Sequence, residues 1–163
     1  MAYGVRKERR RRGRKAQLLV LLAISLIAIC SVIVIWKESR FDKRARGLKG
    51  EVGLMQIMPD LAAADWARIK GFPAPSRGAL YDPELNIEIG SWYLGRALRK
   101  WRAYRENIPM ALSEYNAGAR RVNQWKPVSR DGAFRERIAI PSTRDYVDEI
   151  MVKYQDYRRN WKP

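Results

Sequence analysis

A run of 21 residues without a charge, Ala16 to Trp36, lies between Lys15 and Lys37 and stops just short of an acid, Glu38. As a helix rising ~1.5 Å per residue, such a run reaches across a ~30 Å hydrocarbon layer. The block Arg9-Arg10-Arg11-Arg12-Gly13-Arg14-Lys15 precedes it, and residues 1–15 hold eight Lys/Arg against the single Glu8. Because positive charge stays on the cytoplasmic side, the pattern predicts a basic cytoplasmic tail over 1–15, a single-pass anchor over 16–36, and Glu38 on the far side. Trp36 and Lys37 then lie at the interface. A signal peptide cleaved near Ala28-Ile29-Cys30 is the rival reading of the same run, and Ile29 makes Cys30 a poor lipidation site.

Outside the run the chain is strongly basic, 33 Lys/Arg against 17 Asp/Glu in all. Such a surface suits polyanions, and charge alone does not choose between nucleic acid, anionic lipid and acidic wall polymer. There is no histidine and one cysteine, Cys30, inside the apolar run. That excludes Ser-His-Asp and Cys-His nucleophile systems, an intrachain disulfide and the commonest transition-metal ligand. Any catalysis rests on carboxylates and backbone. No cofactor or metal is implied, and there is no RNA- or DNA-binding signature.

After the run, Arg40 to Val52 is a loop of Lys, Arg and Gly. Gly53 then reads as a turn opening a second helix, which Pro59 carries through Leu61, Ala62, Ala64 and Trp66 to about Ile69, with Gly71 ending it. Asp82-Pro83-Glu84 combines a capping side chain, a proline at the first helical position and an acid in the first turn. The helix it starts places Ile87, Gly90, Leu94, Ala97, Leu98 and Trp101 on one buried stripe. Further helices are expected over about Pro109 to Asn116, through Val122 and Trp125, and from the Ser142/Asp145 capping pair through Tyr146, Val147, Ile150, Met151 and Tyr154. No segment alternates strictly, so the chain is all-α with no repeat.

Single residues in this pattern read as ordinary packing; their order does not. Glu38-Ser39-Arg40-Phe41, Gly53 to Pro59, Asn86 to Leu94, Tyr115 to Gly118 and Thr143 to Val147 together resemble the soluble-type lytic transglycosylases, relatives of goose-type lysozyme, over about residues 32–160. The resemblance implies a lysozyme-like helical domain that cleaves the MurNAc–GlcNAc bond of peptidoglycan, and the apolar run with its basic flank is expected to hold that domain outside the bacterial cytoplasmic membrane through residues 16–36. It implies that Glu38 protonates the glycosidic oxygen and then accepts the proton of the MurNAc C6 hydroxyl, giving a 1,6-anhydro end. A sugar that supplies its own nucleophile needs one carboxyl where ordinary glycosidases need two. By the same match Gln56, Met58, Met55 and Tyr115 contact substrate, while Ser39, Asn116 and Tyr146 support the site. Glycan strands are the expected partner, and no protein partner is indicated.

The chain also departs from that pattern. Gly47 and Ser142 stand where many relatives carry Ser and Glu, and Glu51 and Glu114 stand where small residues are common. Both acids are expected on the solvated surface, with a replacement substrate contact as the alternative. Lost contacts would leave a weak wall-binding scaffold, and a second cleft carboxylate would make a muramidase that uses water. Finally, roughly 11 residues before Glu38 should pack against the domain while about 20 span the membrane, and one run of 21 must serve both. Three resolutions stand: a domain pressed against the bilayer, a cleaved span, or a lost spacer that leaves a weakened fold.

Overall fold

The structure, a computed structural model, describes the backbone of residues 2–160 and side chains from residue 17 onward except that of Leu19. The side chains of the expected cytoplasmic tail therefore lie outside the described residues. One continuous helix, α1 (Ala2–Ser39), carries the apolar run directly into the domain. A π-helical turn (Pro59–Ala63) leads into α2 (Ala64–Lys70), and a 3₁₀ turn (Ala79–Tyr81) precedes α3 (Pro83–Trp101). Then come α4 (Asn107–Ala117), α5 (Ala119–Trp125), a second 3₁₀ turn (Arg135–Arg137) and α6 (Pro141–Asn160). Among the described residues the only β pairing is two isolated bridges, Arg46 with Val52 and Val52 with Ile57.

The core forms where α3 crosses α4, with Leu94, Ala97, Leu98 and Trp101 against Met110, Ala111 and Leu112. Alongside it, α1 packs on α3 and α6 through Cys30, Ile33, Val34 and Ile35. The Asp82 side chain accepts the Leu85 N–H at 2.9 Å, which fixes the start of α3 as its sequence implies.

Four expectations are corrected by this packing. Ile87 is exposed, and the buried place on its turn of α3 belongs to Asn86. The Asn86 amide donates to the carbonyls of Val52 (2.9 Å) and Leu80 (2.8 Å) and accepts the Met55 N–H (2.8 Å). It satisfies three backbone groups of a loop that has no ladder of its own, and an apolar side chain there would leave them unpaired. Gly53 opens a turn, not a helix, since regular structure resumes only at Pro59. Pro141 opens α6, so Ser142 lies inside the first turn. Glu114 is neither surface nor cleft. It is 3% exposed and accepts from Lys100 Nζ at 2.7 Å and Trp101 Nε1 at 2.8 Å, tying α4 to α3.

Candidate active site

Glu38 occupies the last turn of α1, where the helix reaches α6. The Tyr146 hydroxyl, on α6, donates to Glu38 Oε1 at 2.8 Å. Burial pushes the carboxyl up to about 7; the Tyr146 hydrogen bond pulls the other way, the charge of Glu51 adds to the rise, and Lys37 opposes it weakly. Lys37 Nζ is itself engaged by Glu149 at 2.7 Å. Near neutral pH a large share of Glu38 therefore holds its proton. Burial, and then the Glu38 charge, hold the phenols of Tyr115 and Tyr146 well above their ordinary range, so both act as neutral donors.

The loop that faces this carboxyl is shaped by close backbone approach. Gly53 has φ +75°, and a Cβ there would stand 2.5 Å from Asn86 Nδ2. On α3, a Cβ on Gly90 would meet Met55 Sδ at 2.4 Å. Met55 is thus seated directly on the α3 backbone, fully buried, and its carbonyl accepts the Tyr115 hydroxyl at 2.7 Å. Gln56, at φ +47°, folds its amide back to donate to the carbonyls of Gly53 (2.9 Å) and Ala45 (3.3 Å). These bonds hold the turn closed and leave Gln56 Oε1 as the acceptor it can offer.

A cleft of about 240 Å³ opens between this loop and α4. Gln56, Met58, Tyr115 and Asn116 line it, with Glu51, Tyr93 and Arg121. The remaining expected site residues stand behind that wall. Met55 supports Tyr115 from below, Tyr146 holds Glu38, and Ser39 donates to the Ile35 carbonyl at 3.2 Å within α1. Asn116 also accepts from Thr143 Oγ1 at 2.7 Å, joining the end of α4 to the start of α6. A larger groove of about 470 Å³ runs along α1 and α6 past Val32, Trp36, Phe41 and Lys153. Glu38 lines neither opening, and the expected substrate contacts Gln56, Met58 and Tyr115 all line the smaller one.

Sequence reasoning passed over Tyr93, which meets Tyr115 edge-on at 5.8 Å, and Asn86, although both lie inside a motif already singled out. The signal for Asn86 was a polar residue four positions before Gly90 on the apolar stripe.

Residues 29–138 match the family described as the transglycosylase SLT domain. The chain belongs to that family. It is 35% identical over 129 residues to the soluble lytic murein transglycosylase of Escherichia coli K12, covering 76% of this chain and 19% of that protein. It is also 35% identical over 101 residues to the membrane-bound lytic murein transglycosylase C of Pectobacterium atrosepticum, covering 59% of this chain and 28% of that one. Among solved structures, an inactive glutamate-to-glutamine mutant of the Pseudomonas aeruginosa lytic transglycosylase Slt superposes with a TM-score of 0.69 at 29% identity, covering 90% of this chain and 25% of the other. The 70 kDa soluble lytic transglycosylase of E. coli gives the same score at 31% identity, covering 80% and 21%. The chain therefore spans between 19% and 28% of the length of these larger proteins.

Proposed function

We propose that this chain is a membrane-anchored peptidoglycan lytic transglycosylase that cleaves the MurNAc–GlcNAc β-1,4 bond with Glu38 as acid and then base. The observation that carries the reading is a half-buried carboxyl near pKa 7, held by Tyr146, beside a cleft lined by Gln56, Met58 and Tyr115. Because Tyr146 donates to Oε1, Oε2 is the oxygen left to carry the acid proton. That proton passes to the glycosidic oxygen as the C1–O bond breaks, and the GlcNAc side leaves as an alcohol. The ionised Glu38 then takes the proton of the MurNAc C6 hydroxyl, whose oxygen bonds to C1. The carboxyl ends in its starting state, so the cycle consumes no water and needs no second acid.

The anchor has its own support. Val20–Ser39 is long and apolar enough to cross a membrane, and Leu18, Val20, Leu21, Leu22 and Ile24 are exposed in the fold. A relative named as membrane-bound is consistent with an anchored member of the family. The basic block before the run orients the amino terminus inward and the domain outward. Hydrolysis by water is a second reading, favoured by one observation: Glu51 places another carboxylate on the cleft wall. The test is release of soluble muropeptides from purified sacculi. Wild type releases them and Glu38→Gln does not; an active Glu38→Gln protein means that another group is the acid.

A further inference from the structure

One face of α1 stays uncovered well past the point where the domain begins. Leu18, Leu21, Ser25, Ala28 and Val32 are all exposed and follow one another at three- and four-residue steps, so they form a single stripe. From Leu18 to Trp36 that stripe covers about 27 Å, close to the ~30 Å of a hydrocarbon layer. It ends in the groove of about 470 Å³, which Val32, Ile33 and Trp36 line from α1, Phe41 from the turn after it, and Lys153 and Asp156 from α6. Val32 is 54% exposed and Phe41 56%, so apolar surface lies open there. Arg40 and Phe41 both hold left-handed backbone, at φ +53° and +66°, which bulky side chains rarely adopt. The turn that leaves Phe41 at the groove is therefore held against its local preference.

Cations gather at the same place. Arg40 Cζ lies 4.3 Å and Lys153 Nζ 4.0 Å from the centroid of the Trp36 ring, so the indole holds both beside the groove. The acids nearby are already engaged, Glu149 by Lys37 and Asp156 by Arg159. Among the described residues Arg40 and Lys153 take part in no ion pair. We propose that this groove seats an anionic phospholipid of the anchoring membrane, with an acyl chain along Val32, Ile33 and Phe41 and the headgroup phosphate paired with Arg40 and Lys153. The inference rests on the reading of the apolar run as a membrane span. Under that reading the stripe from Leu18 to Val32 lies in hydrocarbon and Trp36 reaches the outer headgroup layer, where indoles and cations are favoured. A second copy of the chain fits poorly, since a symmetric contact sets Arg40 and Lys153 against their own like charges. A lipid seated there fixes which side of the domain meets the membrane.

The experiment is quenching of Trp36 fluorescence in the full chain, reconstituted in phosphatidylcholine vesicles that carry brominated phosphatidylglycerol or brominated phosphatidylcholine at equal mole fraction. Bromine quenches an indole only at close range, and the difference between wild type and Trp36→Phe isolates Trp36 from the other tryptophans. Wild type should favour the anionic lipid at Trp36 by about fivefold or more. Arg40→Gln and Lys153→Gln should each lower that preference, and the double variant should abolish it. Both side chains are exposed, so thermal unfolding should be little changed in these variants. Equal quenching by the two lipids in wild type overturns the proposal, as does a preference that survives in the double variant. A chain that enters the vesicles while neither lipid quenches Trp36 also overturns it, since a second copy or the chain's own carboxyl-terminal residues then cover the groove. A chain that enters vesicles of neither composition defeats the membrane span instead, so the two failures are distinguishable.

Discussion

The two halves of the apolar run in α1 have the same apolar character and opposite surroundings. From Gln17 to Ser25 the described side chains are exposed, whereas Cys30, Ser31, Ile33, Val34 and Ile35 are buried against α3 and α6. Hydrophobicity alone does not separate anchor from core; the presence of packing partners does. The bare turns from Gln17 to Ser25 cover only about 14 Å, less than half of a hydrocarbon layer. Any full span must therefore extend into turns that the domain already clads. If the run crosses a membrane as proposed, the domain rides against the bilayer and is not held away from it by a spacer, with Glu38 about 20 Å beyond Ser25.

The strongest way to break this contrast is to place an acid in each end. Val34→Asp buries an unpaired charge at a site with no exposure and should cost more than about 4 kcal/mol, enough to abolish cooperative unfolding in a thermal scan. Leu21→Asp should leave the domain's unfolding unchanged while lowering recovery in the membrane fraction. Equal destabilisation by the two would erase the distinction between the ends.

The clad end can then be sharpened through its carboxyl. The folded-state pKa of Glu38, about 7, lies above the ordinary 4.5, so the fold favours the protonated form. That stabilisation is fully present below pH 4.5 and is lost as pH rises through 7. Glu38→Gln should therefore exceed wild type in stability by about 3 kcal/mol at pH 8, with little difference at pH 4, as read by chemical denaturation. An equal gap at both pH values would show that burial does not act on this carboxyl.

A smaller effect is expected from Tyr146→Phe, which removes the hydrogen bond that lowers the pKa of Glu38. Its alkaline activity limb should move to higher pH, with a loss of roughly tenfold in rate from the freed carboxyl, about 1.4 kcal/mol. The smallest belongs to the bare end. Deleting residues 1–25 should change domain stability by less than about 1 kcal/mol and shift the protein from the membrane to the soluble fraction.

Much of this architecture was legible in the chain. Asp82-Pro83 marked the start of α3, the stripe from Gly90 to Trp101 marked its buried face, and five ordered motifs carried the family. What was not legible depended on contacts between segments far apart in sequence. Glu114 read as a surface acid because Lys100 and the indole of Trp101 reach it from another helix. Ile87 read as core because Asn86 became apolar-like only by spending all its polar groups on a distant loop. The close approach of Glu51 to Gly47, where a Cβ would stand 2.2 Å from Oε2, follows from the closure of that loop, which no periodicity encodes.

The central claim is that one carboxyl, at the clad end of a membrane helix, cleaves the glycan without water. Mass spectrometry of the products released from sacculi by the full chain, compared with Glu38→Gln, tests it most directly. The account predicts 1,6-anhydro-MurNAc ends from wild type and no soluble product from Glu38→Gln. Reducing MurNAc ends from wild type would contradict it.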